Sequence, residues 1–529
     1  MHNAFHGEKP LSDRGDIRSV RCPIILIAGT GSGVGKTSVT LGLVRALVRM
    51  GRSVQPFKVG PDYLDPTYLG IAAGRPCYNV DTWMCPEAYI TALIADKSAD
   101  CDVIVVEGAM GLFDGAGPSS SRGSAAEVAR LLNAKVVLVC DARGQARSLA
   151  ATVKGFSTFE PGVTIACVVA NLCGSEGHAR LLAEALEAEA LPPLIGGIEK
   201  GALPTLKSRH LGLFTAKATA EMETTLERLA DVFSSRVSIA RLFELSSPIG
   251  TQKTEPNQFV RPYRSNSGKG GAPERPRTGM SDPCPAGPEG ILPSRSIHPS
   301  GLSPDVRLGI ADDAAFHFYY PDNLEAFEAH GFELVRFSPI SDVTLPDNLD
   351  ALYLGGGYPE LAAEALAANL PMLASVREFS AMGRPLYAEC GGLMYLSEGI
   401  VTADDKKYAM AGVLPGICRM QGRLAALGYA DVILTQPSLF GERGTRIRGH
   451  IFHYSALDGS PLTHPGWTSA YDIVPQRNAA TRREGYQYGN TLISYVHLHL
   501  ASHETAIAHF REVCARTVPA ERRQRRCQP

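Results

Sequence analysis

The stretch that most restricts what this chain can fold into lies near its start. Ile24-Ile25-Leu26-Ile27-Ala28 reads as a buried strand, Gly29-Thr30-Gly31-Ser32-Gly33-Val34-Gly35-Lys36-Thr37 follows it, and residues 41–49 have helical character. Strand, glycine loop and helix in that order belong to a parallel sheet covered by helices, with the loop at the carboxyl end of the strand. Backbone N–H groups of such a loop wrap phosphate oxygens, Lys36 adds a point charge, and the Thr37 hydroxyl suits Mg²⁺. Counted from Gly29 the spacing is GxxxxxGKT, one residue longer than the standard motif.

The next strands extend the same pattern. Residues 53–57 lead into Lys58-Val59-Gly60-Pro61-Asp62-Tyr63-Leu64-Asp65-Pro66, a carboxylate-rich turn where an α/β ligand site is expected. Asp62 there is a candidate to hold metal or orient a substrate, or a residue that shapes the turn. Val103-Ile104-Val105-Val106 delivers Glu107, and Asp114 follows in Met110-Gly111-Leu112-Phe113-Asp114-Gly115. An apolar strand ending in a carboxylate is the usual way to bring a metal ligand beside a phosphate loop. Residues 136–139 and 165–169 supply further strands, the second ending near Asn171, which contacts a base or caps a turn. Strands alternating with helices such as 179–190 imply a right-handed, mostly parallel sheet.

The back half is organised around a cysteine. Arg384-Pro385-Leu386-Tyr387-Ala388 is a short strand that stops at Glu389-Cys390-Gly391-Gly392, before the helical Leu393-Met394-Tyr395-Leu396. That is the setting of a nucleophile elbow with Cys in place of Ser, and a helix N-terminus there favours thiolate. Ala351-Leu352-Tyr353-Leu354 is a second strand, and Gly355-Gly356-Gly357 after it allows backbone N–H groups to serve as an oxyanion hole. Residues 492–500 have strand character, and period two puts His497 and His499 on one face, either able to serve the thiol. His450 and His453 compete as bases or line a substrate surface.

Composition sets the outer limits. A chain of 529 residues is long enough for roughly two to four domains. A net charge of -2 gives no reason to expect nucleic acid or an anionic membrane as partner. The apolar runs are too short for a bilayer span, and residues 1–20 lack a secretory core. Twelve scattered Cys with no CxxC pair suit reduced thiols in the cytoplasm. Expected domains are a leader at 1–21, an ATP- and substrate-binding domain at 22–245, a Pro/Gly/Ser/Arg-rich linker at 246–304, a second domain at 305–515 and a polar tail at 516–529.

Six longer motifs carry a resemblance: KVGPDYLDP from Lys58, VEGAMGLFDG from Val106, RHLGL from Arg209, FYYPDNL from Phe318, LGGGYPE from Leu354 and YAECGGLMYL from Tyr387. With these the chain resembles the cobyrinate a,c-diamide synthases of corrinoid biosynthesis, over nearly all of 22–245 and 305–512. The resemblance implies α/β architecture with two three-layer α/β/α domains. The first is a P-loop NTPase-type parallel sheet like dethiobiotin synthetase, whose GxxxxxGKT spacing it shares; the second is class I glutamine amidotransferase-like. It further implies that Gly31, Ser32, Gly33, Val34, Gly35, Lys36, Thr37 and Ser38 bind ATP, with Mg²⁺ at Thr37, Asp62 and Glu107. Asp62, Tyr63, Leu64, Glu107 and Asp114 would surround the corrinoid carboxylate, γ-phosphate and metal. Cys390 would attack glutamine, His497 would raise its nucleophilicity, and Gly356, Gly357 and Gly391 would form the oxyanion hole. Two departures stand out: Ile451 occupies the acidic position of the family's Gly-His-Glu-Phe-His, and His499 replaces the acid of the His-x-Glu arrangement, so no third triad member follows.

The expected activity is ATP- and glutamine-dependent amidation of the a and c carboxylates of cobyrinate, with cobyrinate, L-glutamine and ATP as the small-molecule partners. Hydrogenobyrinate or a sirohydrochlorin-type macrocycle is an alternative substrate. A P-loop switch ATPase with an inactive amidotransferase-like module is an alternative of another class, although such switches carry a Lys where this chain has Gly31. Oligomeric state is not legible.

Overall fold

The computed structural model describes residues 20–205, 219–246, 306–474 and 481–517. The expected leader up to residue 19, the motif at 209–213, the linker from 247 and the tail from 518 lie outside the described residues.

The front half is a seven-stranded sheet of β1 (Ile24–Gly29), β2 (Val54–Val59), β3 (Tyr78–Val80), β4 (Val103–Glu107), β5 (Lys135–Asp141), β6 (Thr164–Cys173) and β7 (Leu194–Glu199). All neighbours are parallel, in the order β3-β2-β4-β1-β5-β6-β7. The apolar runs are continuous because both faces are covered. In β1, Ile25 and Ile27 enter one core with helix α1 (Lys36–Arg49), while Leu26 and Ala28 enter the other. Val103 and Val105 of β4 divide from Ile104 and Val106 in the same way. Placing β4 beside β1 brings the loops after both strands to one edge. The three-residue β3 carries too short a pattern to be read beforehand, so β4 is fourth and not third in chain order.

In the back half, β8 (Val306–Ala311), β9 (Phe332–Phe337), β10 (Ala351–Leu354) and β11 (Leu386–Glu389) form a parallel group ordered β9-β8-β10-β11, continued by Thr491–Ser494 alongside β11. Antiparallel strands Arg482–Tyr488, Thr468–Val474, Ala426–Leu434 and Arg446–His453 follow in turn, and the last pairs with Val496–Leu498. These strands therefore curl until they close on the segment 491–498. This corrects the expectation of one strand over 492–500: the ladder breaks at Tyr495, where the chain changes partners, and His499 lies beyond it. A mixed four-stranded sheet, containing Ser397–Val401 and Leu414–Met420, packs near the elbow.

The described residues of both halves belong to one compact unit. Trp83 stacks on Tyr429 with centroids 4.4 Å apart, and the Arg448 guanidinium lies 5.2 Å from the Trp83 ring while Nη1 donates to the Trp83 carbonyl at 2.8 Å. Tyr429 donates to Asp81 at 2.7 Å, Tyr89 to Asp322 at 2.6 Å, and Tyr78 to Glu325 at 2.5 Å. Hydroxyls across this seam meet carboxylates, so polar groups are buried with partners. Among the described residues no helix is long and apolar enough to cross a membrane. Trp83→Ala, which removes a buried indole from the seam, is expected to cost about 3–5 kcal/mol, measured by urea unfolding of the full chain.

Candidate functional site

The phosphate-loop residues fall where β1 meets α1. Gly35 has φ 95°, and a Cβ there would lie 2.2 Å from Asn171 Nδ2, so both backbone geometry and space call for glycine. Asn171 donates to the Val34 carbonyl at 2.9 Å, and Lys36 Nζ donates to the Gly31 carbonyl at 2.9 Å. Asn171 thus props the loop, rather than capping only its own turn. The remaining expected residues, Ser32, Gly33, Thr37 and Ser38, lie in the loop and the first turn of α1.

A buried charge network fills the floor. Thr37 donates to Glu107 Oε1 at 2.7 Å, and Lys58 Nζ donates to the same oxygen at 2.8 Å and to Asp65 Oδ2 at 2.7 Å. Burial opposes the Lys58 charge, but Glu107 and Asp65 outweigh it and hold the ammonium well above its ordinary range. Burial pushes the Glu107 carboxyl up to about 7 despite the pull of Lys58. Glu107 Oε2 is buried without a hydrogen-bond partner. An orphaned carboxylate oxygen beside a threonine hydroxyl fits Mg²⁺ carried on a nucleotide, so Thr37 and Glu107 are suitable holders. Among the described residues no cluster of three metal-type side chains forms a site by itself.

Asp62 and Asp114 reach the same edge differently. Asp62 Oδ1 accepts the amides of Leu64 and Asp65, capping helix α2 (Leu64–Ala73). Exposed Asp114 accepts the Gly111 amide at 2.8 Å, and the Leu112 amide donates to the Gly29 carbonyl at 2.9 Å, which lays this loop on the phosphate loop.

Cys390 stands at a sharp bend between β11 and the helix Gly391–Leu396, with φ 46° and ψ −95°. Such strain in a non-glycine residue persists only where the surroundings hold it. The Cys390 amide donates to the Ser494 carbonyl at 2.8 Å, and a Cβ on Gly392 would lie 2.3 Å from the Leu354 carbonyl. Gly391 begins the helix, so its amide lacks an intrahelical acceptor. A Cβ on Gly391 would lie 2.9 Å from Gly357 N, and one on Gly356 would lie 2.5 Å from His497 Cε1. The three glycines expected to donate to an oxyanion are therefore gathered with His497 around the thiol.

Of the four candidate histidines, His497 is the one beside Cys390. Burial pulls its pKa down, but the Cys390 sulfur and Glu389 outweigh burial and hold it at about 9. His450 stacks on His497 at 4.8 Å, hydrogen-bonds Tyr320 at 2.9 Å, and burial pulls its pKa well below 6.5. His453 stacks on Tyr495 and hydrogen-bonds the Ser455 carbonyl. The expectation that His499 shares the face of His497 is corrected: with the strand ended at Leu498, its Nε2 lies 3.2 Å from Asp322 and its Nδ1 3.2 Å from Ser502.

Sequence reasoning missed two residues. Glu389 Oε2 lies 3.6 Å from His497 Nδ1, too long for a hydrogen bond but within ion-pair range. The same carboxylate accepts Tyr353 at 2.9 Å, Tyr387 at 2.5 Å and the Leu498 amide at 2.9 Å, so a buried acid does stand behind the histidine. The signal was present as a carboxylate at the end of an apolar strand. Lys58 was the other, legible as a Lys inside a buried strand.

A cavity of about 940 Å³ is lined by both halves, including Asp62, Tyr63, Leu64, Phe318, Glu360 and His497. Tyr63 stacks on Phe318 at 5.1 Å and its ring lies 5.3 Å from that of His497. The loop after β2 therefore touches the cysteine centre directly.

Sequence comparison agrees with this division. Residues 25–213 match the CobQ/CobB/MinD/ParA nucleotide-binding domain and residues 307–505 the CobB/CobQ-like glutamine amidotransferase domain. The fold and its two centres thus define a nucleotide-binding domain joined to a glutamine amidotransferase. The chain is 47% identical over 493 residues to the cobyrinate a,c-diamide synthase of Syntrophotalea carbinolica, covering 93% of this chain and 99% of the relative. It is 37% identical to that of Priestia megaterium, over 93% and 96%, and 38% identical to that of Dehalococcoides mccartyi strain CBDB1, over 92% and 97%. The chain belongs to the cobyrinate a,c-diamide synthase family, whose members are glutamine-dependent ligases.

The raised His497 value has a measurable consequence. A histidine held above its ordinary pKa contributes stability fully present below about 6.5 and lost as pH rises through about 9. NMR of imidazole-labelled protein is expected to show the His497 imidazole titrating near 9, with its midpoint moving down in Cys390→Ala; an unmoved midpoint would show that the sulfur is not its partner.

Proposed function

We propose that this protein amidates the a and c side-chain carboxylates of cobyrinate, spending ATP to activate each carboxylate and taking nitrogen from glutamine. The observation that carries the reading is the contact between the loop of Asp62 and Tyr63 and the ring of His497, which brings the turn after β2 and the histidine beside Cys390 to one cavity. The names of its relatives support the choice of cobyrinate.

A carboxylate does not accept ammonia because its leaving group would be oxide or hydroxide. Transfer of the γ-phosphoryl group of ATP makes an acyl phosphate and ADP, and phosphate then leaves readily. The amides from Gly31 to Gly35 and Lys36 stabilise charge on the transferring oxygens. When bound, Mg²⁺ would neutralise phosphate charge, and Thr37, Glu107 and Asp62 would hold it. Lys58 keeps Glu107 and Asp65 in place beneath the phosphate site. Tyr63, Leu64 and Asp114 frame the acceptor.

In the second centre His497 keeps the Cys390 proton away from sulfur, and Glu389 orients and charges the imidazole. The sulfur attacks the glutamine side-chain amide while Gly356, Gly357 and Gly391 donate to the oxyanion. Collapse expels ammonia, with the proton supplied by His497, and leaves a glutamyl thioester that water hydrolyses to glutamate. Ammonia released into the shared cavity attacks the acyl phosphate before bulk water protonates it, giving amide and phosphate.

Cys390→Ala is expected to lower glutamine-dependent amidation by about 10²-fold or more while ammonia-dependent amidation survives. Mass spectrometry of the product with cobyrinate and with its cobalt-free counterpart tests the acceptor: amidation of only the cobalt-free substrate overturns cobyrinate. Oxygen-18 placed in the acceptor carboxylate should appear in released phosphate, and its absence overturns the acyl phosphate. A protein inert to glutamine but with ATPase stimulated by a protein partner would be the switch ATPase instead.

A further inference from the structure

The cavity wall contains a carboxylate for which the described residues supply no positive charge. Glu360 lies on the short 3-10 turn Pro359–Ala362, three residues after Gly357. That turn abuts the elbow: Pro359 Cδ is 3.1 Å from the position of a Cβ on Gly391. Glu360 lines the same cavity as His497 and Phe452, and the Phe452 carbonyl lies 3.7 Å from Cys390 Sγ.

Three other carboxylates line this cavity, and each is otherwise accounted for. Asp62 is engaged by the backbone of α2, Asp404 by Thr402 and Lys406, and Glu364 is exposed to solvent. Glu360 is half-buried, and among the described residues no Lys, Arg or side-chain donor is found at its carboxylate. Burial pushes that carboxyl up to about 7, and its own backbone amide offsets only part of the rise. A partly desolvated carboxylate in this position costs free energy until a cation joins it.

We propose that Glu360 recognises the α-ammonium group of glutamine while the side-chain amide of the same molecule lies against Cys390. This rests on the reading of the Cys390 cavity as the glutamine site. The α-nitrogen of an extended glutamine lies roughly 5 Å from its amide carbon, a span of four bonds, which suits a carboxylate on the turn next to the elbow. The charge-assisted hydrogen bond selects a free amino acid over an amide that lacks the ammonium group. Because the α-ammonium does not react, its recognition strengthens ground state and transition state alike.

The test compares glutamine with glutaramate, the same amide without its α-amino group, as nitrogen donors. The full-length protein is assayed with ATP and cobyrinate, each variant being normalised to its own ammonia-dependent rate so that folding losses cancel. In the native protein glutaramate is expected to show a KM about 10- to 100-fold above that of glutamine. In Glu360→Gln the KM for glutamine should rise toward the glutaramate value with kcat little changed, and Glu360→Asp should recover part of the preference. If Glu360→Gln keeps the native ratio between the two donors, the assignment of Glu360 is wrong. If Cys390→Ala still hydrolyses glutamine, the underlying reading of the cavity is wrong, which is a separate and distinguishable result.

Discussion

Tyr63 holds the two centres together. Its ring packs on Phe318, Tyr320, His450 and His497, all from the back half, while its backbone belongs to the turn that follows β2. An aromatic ring with four ring partners is worth most when those partners are themselves fixed. Phe318 is fixed by its bridge to Gly356, and Tyr320 by its hydrogen bond to His450. A displacement of the loop would therefore be felt at the glycine turn and at His497 together.

Buried charge is concentrated where the halves need rigidity. Lys58 lies between Asp65 and Glu107, and His499 faces Asp322, which also accepts Tyr89 across the seam. Removing one member of such a set leaves an uncompensated charge, which is far more damaging than losing a surface pair. Burial opposes the positive charge of His499, yet Cys85 and Asp322 hold its pKa well above 6.5. The second histidine of the Val496–His499 run therefore works for the seam, where the sequence alone offered it to the thiol.

Much of the architecture was legible beforehand for a simple reason. Parallel strands buried on both faces must be apolar throughout, so β1, β4, β5 and β6 stand out in the chain, and glycine loops mark where they deliver chemistry. The phosphate loop and the Cys390 elbow are likewise local: their residues are adjacent in sequence, and cramped backbone geometry dictates their types. The antiparallel strands that curl onto 491–498 were not legible, because which strand pairs with Arg446–His453 depends on a ladder change at Tyr495.

From the order of residues alone came the two α/β halves, the phosphate-binding loop and the thiol at a strained bend, since each depends on neighbours along the chain. Only the tertiary structure decided which histidine lies beside the thiol, that Glu389 stands behind it, that Lys58 pairs with Glu107, and that Tyr63 reaches the other centre. Those pairings join residues 49 to 434 positions apart, from Lys58 with Glu107 to Tyr63 with His497, and packing of folded elements is what brings such residues within a few ångströms.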